Sequence, residues 1–248
     1  MQNRYTGDIG DFAKLGLLRA LQTAGLTIGV NWYLVPDESH NDDGRFTNYP
    51  SLRSCDEALW DALKAILDEA SLDPDQRNVS KLQTDCILKA EFYSEPLDFT
   101  DNNKSERTAI RNDWHTHALE KLKDLDLVFV DPDNGLLVPT AAGTAKENKF
   151  VTPDELAAYY HQGSTVFYYQ HKARRPDSFY ADQHLELLRK PEFKNASGLG
   201  LKFHKTSQRY FFFLVQPAHL ESMRKGIHSF MTSPWGECFE LNTFHQFV

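Results

Sequence analysis

An apolar run in the middle of the chain, LVFV at residues 127–130, passes directly into the polar turn DPDNG at residues 131–135. Asp131, Asp133 and Asn134 place two carboxylates and an amide around one proline. Oxygens of this kind accept hydrogen bonds from a substrate amine or bind a divalent cation. The same residues also suit a type I turn, which is the structural alternative. Because the preceding run is so apolar, the pattern favours a catalytic or ligand-binding role for these three side chains.

Two other polar clusters follow runs that are rich in β-forming residues. The run 27–35 leads into PDESHNDDGR at residues 36–45. The run 164–170 leads into QHKARR at residues 170–175. In open α/β sheets, ligands bind beyond the carboxyl ends of the strands. We therefore expect all three polar clusters to meet along one rim of one sheet.

The elements that position these clusters follow from the spacing of apolar residues. The spacing predicts helices over 8–24, 56–69, 105–124, 153–161, 176–190 and 218–231. It predicts strands over 27–35, 127–131 and 164–170, and a hairpin over 199–205 and 208–216. Residues 71–104 show little period and are predicted as an insertion. This alternation predicts a single α/β domain over residues 1–248, with a Rossmann-like, mostly parallel sheet and a C-terminal antiparallel hairpin.

The first predicted helix carries three charged residues near its start. Asp8 suits the N-cap, and Asp11 lies in the first turn, where a carboxylate favours the helix dipole. Lys14 stands three residues after Asp11, so a surface Asp–Lys pair is one interpretation and a binding role is the other.

The acidic loop at residues 36–45 has two interpretations. His40, with the carboxylates of Asp37, Glu38, Asp42 and Asp43, could bind a divalent metal, but the spacing is not that of an EF-hand, and a solvated acidic loop is favoured. Gly44 permits a close backbone approach to a ligand.

The charge balance limits the partners that the chain can bind. The net charge of −8 argues against a broad basic surface that holds duplex DNA. Lys172, Arg174 and Arg175 nevertheless form a dense local cluster that could meet phosphate, which keeps a nucleic-acid partner open. His171, beside this cluster, could contact a substrate or act as a general base.

Three further features of the sequence bear on the cellular compartment of the protein. No apolar run approaches the roughly 20 residues that span a bilayer, so we expect no membrane segment. The polar opening MQNRYTGDIG predicts no signal peptide. Cys55, Cys86 and Cys238 are scattered, which indicates a reducing cytoplasm and neither a disulfide framework nor a zinc site.

Three motifs carry a resemblance to a known family. GDIGDFAK, YLVPDESHNDDGR and VDPDNG, at residues 7–14, 33–45 and 130–135, follow the order of the motifs of S-adenosylmethionine-dependent methyltransferases. The nearest resemblance is to the adenine-N6 methyltransferases of large-subunit ribosomal RNA, with Asp-Pro-Pro-Tyr in place of DPDN. The same motifs also resemble a family of uncharacterised bacterial proteins, which implies no activity.

The resemblance implies a methyltransferase-like fold, S-adenosylmethionine as the cofactor and a nucleic-acid base as the substrate. Asp131 would accept a hydrogen bond from the target amino group, and Asp133 and Asn134 would line the pocket. The residues implied at the cofactor are Asp8, Asp11, Lys14, Asp37, His40, Asp43, Gly44 and Arg45. The residues implied at the substrate are Gln170, His171, Lys172, Arg174 and Arg175.

The chain departs from this family at two motif positions. Asp133 replaces the second proline, and Asn134 replaces the aromatic residue that stacks on the base. The loop after the first strand also lacks a GxGxG pattern. These departures leave open a domain that has lost catalysis and binds a nucleotide or a protein.

A metal-dependent nuclease is the other alternative. Asp131 or Asp133, followed by Gln170 and Lys172, imitates an Asp…Gln-x-Lys pattern in which acids and the glutamine oxygen hold Mg²⁺. The strongly capped helix predicted at 153–161 argues against it, because it makes the two motif strands parallel neighbours joined by a crossover.

Overall fold

The computed structural model describes residues 1–38, 42–84, 86–206 and 208–243. The helices are α1 (Ile9–Thr23), α2 (Glu57–Leu72), α3 (Lys104–Lys121), α4 (Pro153–His161), α5 (Asp177–Leu188) and α6 (Leu220–Thr232). The strands are β1 (Ile28–Asn31), β2 (Glu91–Tyr93), β3 (Leu127–Val130), β4 (Gly135–Leu136), β5 (Phe150–Val151), β6 (Thr165–His171), β7 (Ser197–Phe203), β8 (Arg209–Val215) and β9 (Phe239–Thr243).

The main sheet has seven strands in the order β2-β1-β3-β6-β8-β7-β9. The first four are parallel to one another. Strand β8 lies antiparallel between β6 and β7, and β9 is antiparallel to β7. Since β7 therefore points the same way as β6, most strands share one direction. The predicted Rossmann-like α/β fold with an antiparallel β7–β8 hairpin is confirmed.

Short-range capping explains where the helices begin. The Asp8 side chain accepts a hydrogen bond from the backbone amide of Asp11, as expected of an N-cap. Helix α4 begins with a capping box between Thr152 and Glu155 around the proline at its first position. These local signals account for the agreement between the predicted and observed starts of α1 and α4.

Two hydrophobic layers enclose the sheet. Helices α1, α2 and α6 cover one face, and helices α3, α4 and α5 cover the other. Alternation along β6 supplies both layers, because Phe167 packs on Phe129 at 4.4 Å while Tyr168 points to the opposite face. Both faces of the central strands are therefore buried, and ligands can reach only the ends of the strands.

The structure differs from the predicted elements at two places. Residues 71–104, predicted as an insertion, contain β2, which forms one edge of the sheet beside β1. Strand β9 was not predicted, although the first four residues of its segment FELNT alternate between apolar and polar.

Strand β1 also ends earlier than predicted. After Asn31 the chain turns at Tyr33, which has a φ of +43° and donates its backbone N–H to the Asn31 side chain at 3.0 Å.

In the part of the chain that the structure describes, no helix is long and apolar enough to cross a membrane.

Candidate active-site cleft

A cleft of about 290 Å³ opens at the carboxyl ends of β1, β3 and β6, where α1 begins. Its volume is near the lower end of the roughly 300–1,000 Å³ usual for ligand sites. The predicted site residues that line it are Asp8, Asp11, Lys14, Asp43, Gly44, Asp131, Asp133, Asn134 and His171. The structure therefore brings members of all three predicted polar clusters to one rim.

Lys14 lies at the centre of the cleft floor. Its Nζ atom is 2.5 Å from Oδ2 of Asp131 and 2.7 Å from Oδ1 of Asp11. The other Asp11 oxygen accepts the backbone N–H of Gly7 at 2.8 Å. All three charged side chains are buried. The surface Asp–Lys pair considered from the sequence is thus a buried bridge between the first helix and the end of β3.

Burial and charge act in opposite directions on this bridge. Burial raises the pKa of Asp11, and the nearby Lys14 only partly offsets it, which leaves a pKa of about 6. Burial alone would lower the pKa of Lys14, but Asp11 and Asp131 outweigh it, so this pKa is raised. Lys14 is therefore a permanent cation of the cleft floor.

Asp133 is directed toward the first residues of the chain. The Met1 ammonium lies 2.7 Å from its Oδ1 atom, and the Gln2 side chain donates to its Oδ2 atom at 2.6 Å. Burial would raise the pKa of Asp133, but Met1, Gln2 and Lys149 together hold it below its usual value. Asp133 is thus an ionised anchor for the N-terminal residues at the cleft wall.

Gln170 fixes the DPDNG turn. Its Oε1 atom accepts the backbone N–H of Leu136 at 2.9 Å, and its Nε2 atom donates to the Asn134 carbonyl at 2.9 Å. Gly135, with a φ of +105°, permits this contact, because a Cβ atom there would lie 2.3 Å from Oε1. Gln170, expected to bind substrate, instead holds the turn in place.

His171 and Arg209 form the wall contributed by the hairpin side of the sheet. The two residues are cross-strand partners on β6 and β8. Burial, followed by the charge of Arg209, lowers the pKa of His171, which favours the neutral imidazole. Arg209 reaches the start of α1, where a Cβ on Gly10 would lie 1.6 Å from Nη1. The absence of a side chain at Gly10 thus leaves room for the guanidinium in the cleft.

The loop 42–46 forms the outer lip. Gly44 has a φ of +82°, and its carbonyl accepts a hydrogen bond from Arg77 at 2.6 Å. The Phe46 carbonyl accepts the first amide of α1, from Ile9, at 2.9 Å. The Phe46 ring is 39% exposed, and the Arg45 guanidinium lies 5.3 Å from its centre. An aromatic face is thus presented at the mouth of the cleft.

Several predicted cofactor residues lie elsewhere. Arg45 lines no part of the cleft and forms an exposed ion pair with Asp42 at 3.1 Å. Asp37 is exposed and accepts the backbone N–H of Arg4 at 3.4 Å. Both side chains are exposed to solvent. His40 falls outside the described residues.

The predicted basic cluster lies beside the cleft and not within it. Lys172 is 3.3 Å from Asp177 at the start of α5, which draws it away from the cleft. Arg174 and Arg175 are exposed on the loop that follows β6. They could meet a substrate only outside the cleft.

Sequence reasoning missed seven residues that line the cleft: Met1, Tyr5, Phe46, Pro132, Lys149, Tyr169 and Arg209. Glu38, named from the sequence only as a possible metal ligand, also lines it. Tyr169 had a weak signal, since it precedes His171 by two residues on a strand and shares its face. Arg209 carried no such signal, because its place beside His171 depends on the pairing register of β6 and β8, which the sequence alone does not show.

The geometry does not favour a metal site formed by the Asp131 and Gln170 oxygens. Oε1 of Gln170 is occupied by the amide of Leu136. Oδ2 of Asp131 is occupied by Lys14. Within the described ranges, no group of three or more His, Cys, Asp and Glu side chains is arranged to hold a metal ion.

The raised pKa of Asp11 predicts a pH-dependent stability. Since the pKa of the Asp11 carboxyl is about 6 in the folded state and 3.8 in its ordinary, solvated state, the folded state binds more protons between these two values. This group therefore makes the free energy of unfolding fall as pH rises from about 4 to about 6, by roughly 3 kcal/mol at most. Urea unfolding across this range should show the fall in the wild type and a smaller fall in Asp11→Asn. Parallel curves for the two proteins would contradict the assignment.

The comparisons with known proteins leave the activity open. No family model and no curated protein matches the chain. One similar solved structure is the crystal structure of protein LPL1258 from Legionella pneumophila str. Philadelphia 1, described under family-model DUF519. It is 11% identical, the match covers 97% of this chain and 98% of that chain, and the TM-score is 0.45. A likeness at this level carries no argument about activity.

Proposed function

We propose that the protein is an S-adenosylmethionine-dependent N-methyltransferase that acts on an exocyclic amine of a nucleic-acid base in the cytoplasm. One observation supports this most. The start of α1, the lip at Gly44 and the DPDN turn line a single cleft, and the Asp131 carboxylate lies on its floor.

The chemistry of the cleft walls suits the cofactor. S-adenosylmethionine supplies an electrophilic methyl group and carries one carboxylate, one amino group and a ribose. Lys149 and Arg209 are cations suited to the carboxylate. Glu38 and Asp43 are acceptors suited to the amino group and the ribose hydroxyls.

Asp131 is the proposed catalytic residue. Lys14 fixes its Oδ2 atom, so the carboxylate is held in place before any substrate arrives. A carboxylate in this position accepts an N–H of the target amine and aims the lone pair of the nitrogen into the cleft. The gain in rate then comes mainly from orientation and from a prearranged charge.

Phe46 is proposed to replace the aromatic residue that position 134 lacks. Its exposed ring at the mouth can stack on a planar base, and base–aromatic stacking is worth about 1–3 kcal/mol. Arg174 and Arg175, exposed on the loop after β6, are suited to the flanking phosphates.

The test is calorimetry with S-adenosylmethionine, followed by transfer of a labelled methyl group to ribosomal RNA. We expect Asp131→Asn to reduce the rate of transfer by about 10²–10³-fold, as for loss of one preorganised charge contact. Its affinity for the cofactor should change little. The matched control is Asp154→Asn, an exposed carboxylate on α4, which should leave both quantities unchanged.

Failure of the wild type to bind the cofactor would overturn the proposal. Equal loss of binding and transfer in Asp131→Asn would indicate structural damage, which circular dichroism would detect. Cleavage of RNA on addition of Mg²⁺ would instead support the nuclease.

A further inference from the structure

A second cavity, of about 500 Å³, opens between α3, α4 and the loop 142–147. It shares no lining residue with the cleft, and its volume falls within the roughly 300–1,000 Å³ usual for ligand sites. One face of α3 supplies its cations, because Lys104, Arg107 and Arg111 are spaced three and four residues apart. The proposed methyl transfer gives this cavity no role.

The carboxylates at this cavity are already compensated. Glu155 accepts Nε and Nη2 of Arg111, both at 2.7 Å, and the two side chains are buried. Glu147 accepts the backbone N–H of Gly143 and lies 3.8 Å from Nη1 of Arg111. Asp154 is exposed in the first turn of α4, where the helix dipole favours a carboxylate. The floor of the cavity is therefore close to neutral.

Two cations at the cavity remain without a carboxylate. Within the described ranges, neither Lys104 nor Arg107 forms an ion pair. Arg107 donates from Nη1 to the Asn102 carbonyl at 2.6 Å and from Nη2 to the Gly143 carbonyl at 3.0 Å, which orients the guanidinium without neutralising it. The Lys104 ammonium lies against the same glycine, since a Cβ on Gly143 would be 3.3 Å from Nζ. Both positive groups therefore meet at Gly143.

Helix stability does not account for this pair of charges. Lys104 is the first residue of α3, the end at which the helix dipole disfavours a cation. Arg107, one turn further on, adds a second positive charge to the same face, and like charges at such spacing are destabilising. Gly143 has a φ of +74°, which favours glycine, and the missing side chain leaves the space that the Lys104 ammonium occupies. A bound anion would offset both charges.

We propose that this cavity binds the phosphate group of a small phosphorylated molecule. A phosphate monoester carries a charge of about −1.5 to −2 at pH 7, which matches the two uncompensated cations. The guanidinium fork of Arg107 suits two phosphate oxygens, and Lys104 acts as a point charge. The ring of Phe99 and the exposed amide of Asn112 also line the cavity and are available to the rest of the ligand. A concave site of this size fits a small molecule better than a nucleic-acid backbone.

The test is a titration of the isotope-labelled full chain with inorganic phosphate at constant ionic strength, followed by nuclear magnetic resonance. The amide signals of Gly143 and Thr144 should shift and saturate. Lys104→Gln should weaken phosphate binding by about 10–100-fold, as for the loss of one charge-assisted contact. Because Lys104 is exposed, its replacement should leave the fold intact, which circular dichroism checks. The matched control is Lys121→Gln, an exposed lysine at the other end of α3, which should leave the affinity unchanged.

Competition identifies the source of the phosphate. Adenosine monophosphate should displace inorganic phosphate, and a short RNA without terminal phosphates should not. Displacement by that RNA would overturn the assignment to a small molecule. Absence of a saturable shift at Gly143, or equal phosphate affinity in the wild type and Lys104→Gln, would overturn the site itself. These readouts do not involve methyl transfer, so the result is independent of the proposed function.

Discussion

Replacing Lys14 by methionine is expected to lower the free energy of unfolding by about 3–5 kcal/mol, the usual cost of removing one partner from a buried ion pair. The substitution leaves Asp11 and Asp131 buried without their shared cation. Urea unfolding at neutral pH measures the loss. The large effect arises because the remaining carboxylates cannot be solvated at the cleft floor.

Two further variants show whether charge is the cause. Lys64→Met removes an exposed i,i+4 partner of Asp68 on α2 and should change stability by no more than about 0.5 kcal/mol. Adding Asp131→Asn to Lys14→Met should restore part of the loss, because one uncompensated charge disappears. A loss below about 1 kcal/mol in Lys14→Met would show that the buried bridge contributes little.

Gly135→Ala is expected to be comparably damaging, at about 2–6 kcal/mol from two contributions. Backbone strain at a φ of +105° accounts for about 1–3 kcal/mol. The new Cβ would also lie 2.3 Å from Oε1 of Gln170, whose amide binds Leu136 and Asn134. Displacing that amide leaves buried backbone groups unpaired, at about 1–3 kcal/mol.

The variant Gly25→Ala measures the cost of backbone strain at a positive φ without the steric collision that Gly135→Ala adds. Gly25 has a similar φ of +102°, but a Cβ there would meet nothing within 4 Å. Urea unfolding of the two variants should therefore differ by the collision alone. Equal losses would mean that Gln170 moves aside without cost and does not hold the turn.

The sequence predicted the place of the site better than its contacts. Capping residues such as Asp8 and Thr152 act over three or four positions, so helix starts follow from local sequence. Parallel strands align their carboxyl ends, so the convergence of the polar clusters at one rim could also be predicted.

The roles of individual side chains depend on neighbours that are distant in the sequence. Gln170 was expected to bind substrate, but its partner Leu136 lies 34 residues away. Asp133 was expected to line the pocket, which it does, yet its bond from Gln2 spans 131 residues. Arg209 enters the cleft only through its pairing with His171 in the sheet. No local pattern encodes contacts of this range.

The contact of Arg209 with the beginning of α1 bears on how the cleft arises during synthesis. Gly10 and Lys14 leave the ribosome early, but Asp131 is translated 117 residues after Lys14, and Arg209 follows later still. A nascent chain that stops before β8 therefore lacks Arg209 and with it one wall of the cleft. The carboxylates of the cleft floor are then not yet enclosed by the complete sheet. Ligand affinity should thus emerge late in translation, only after the β7–β8 hairpin has joined the sheet.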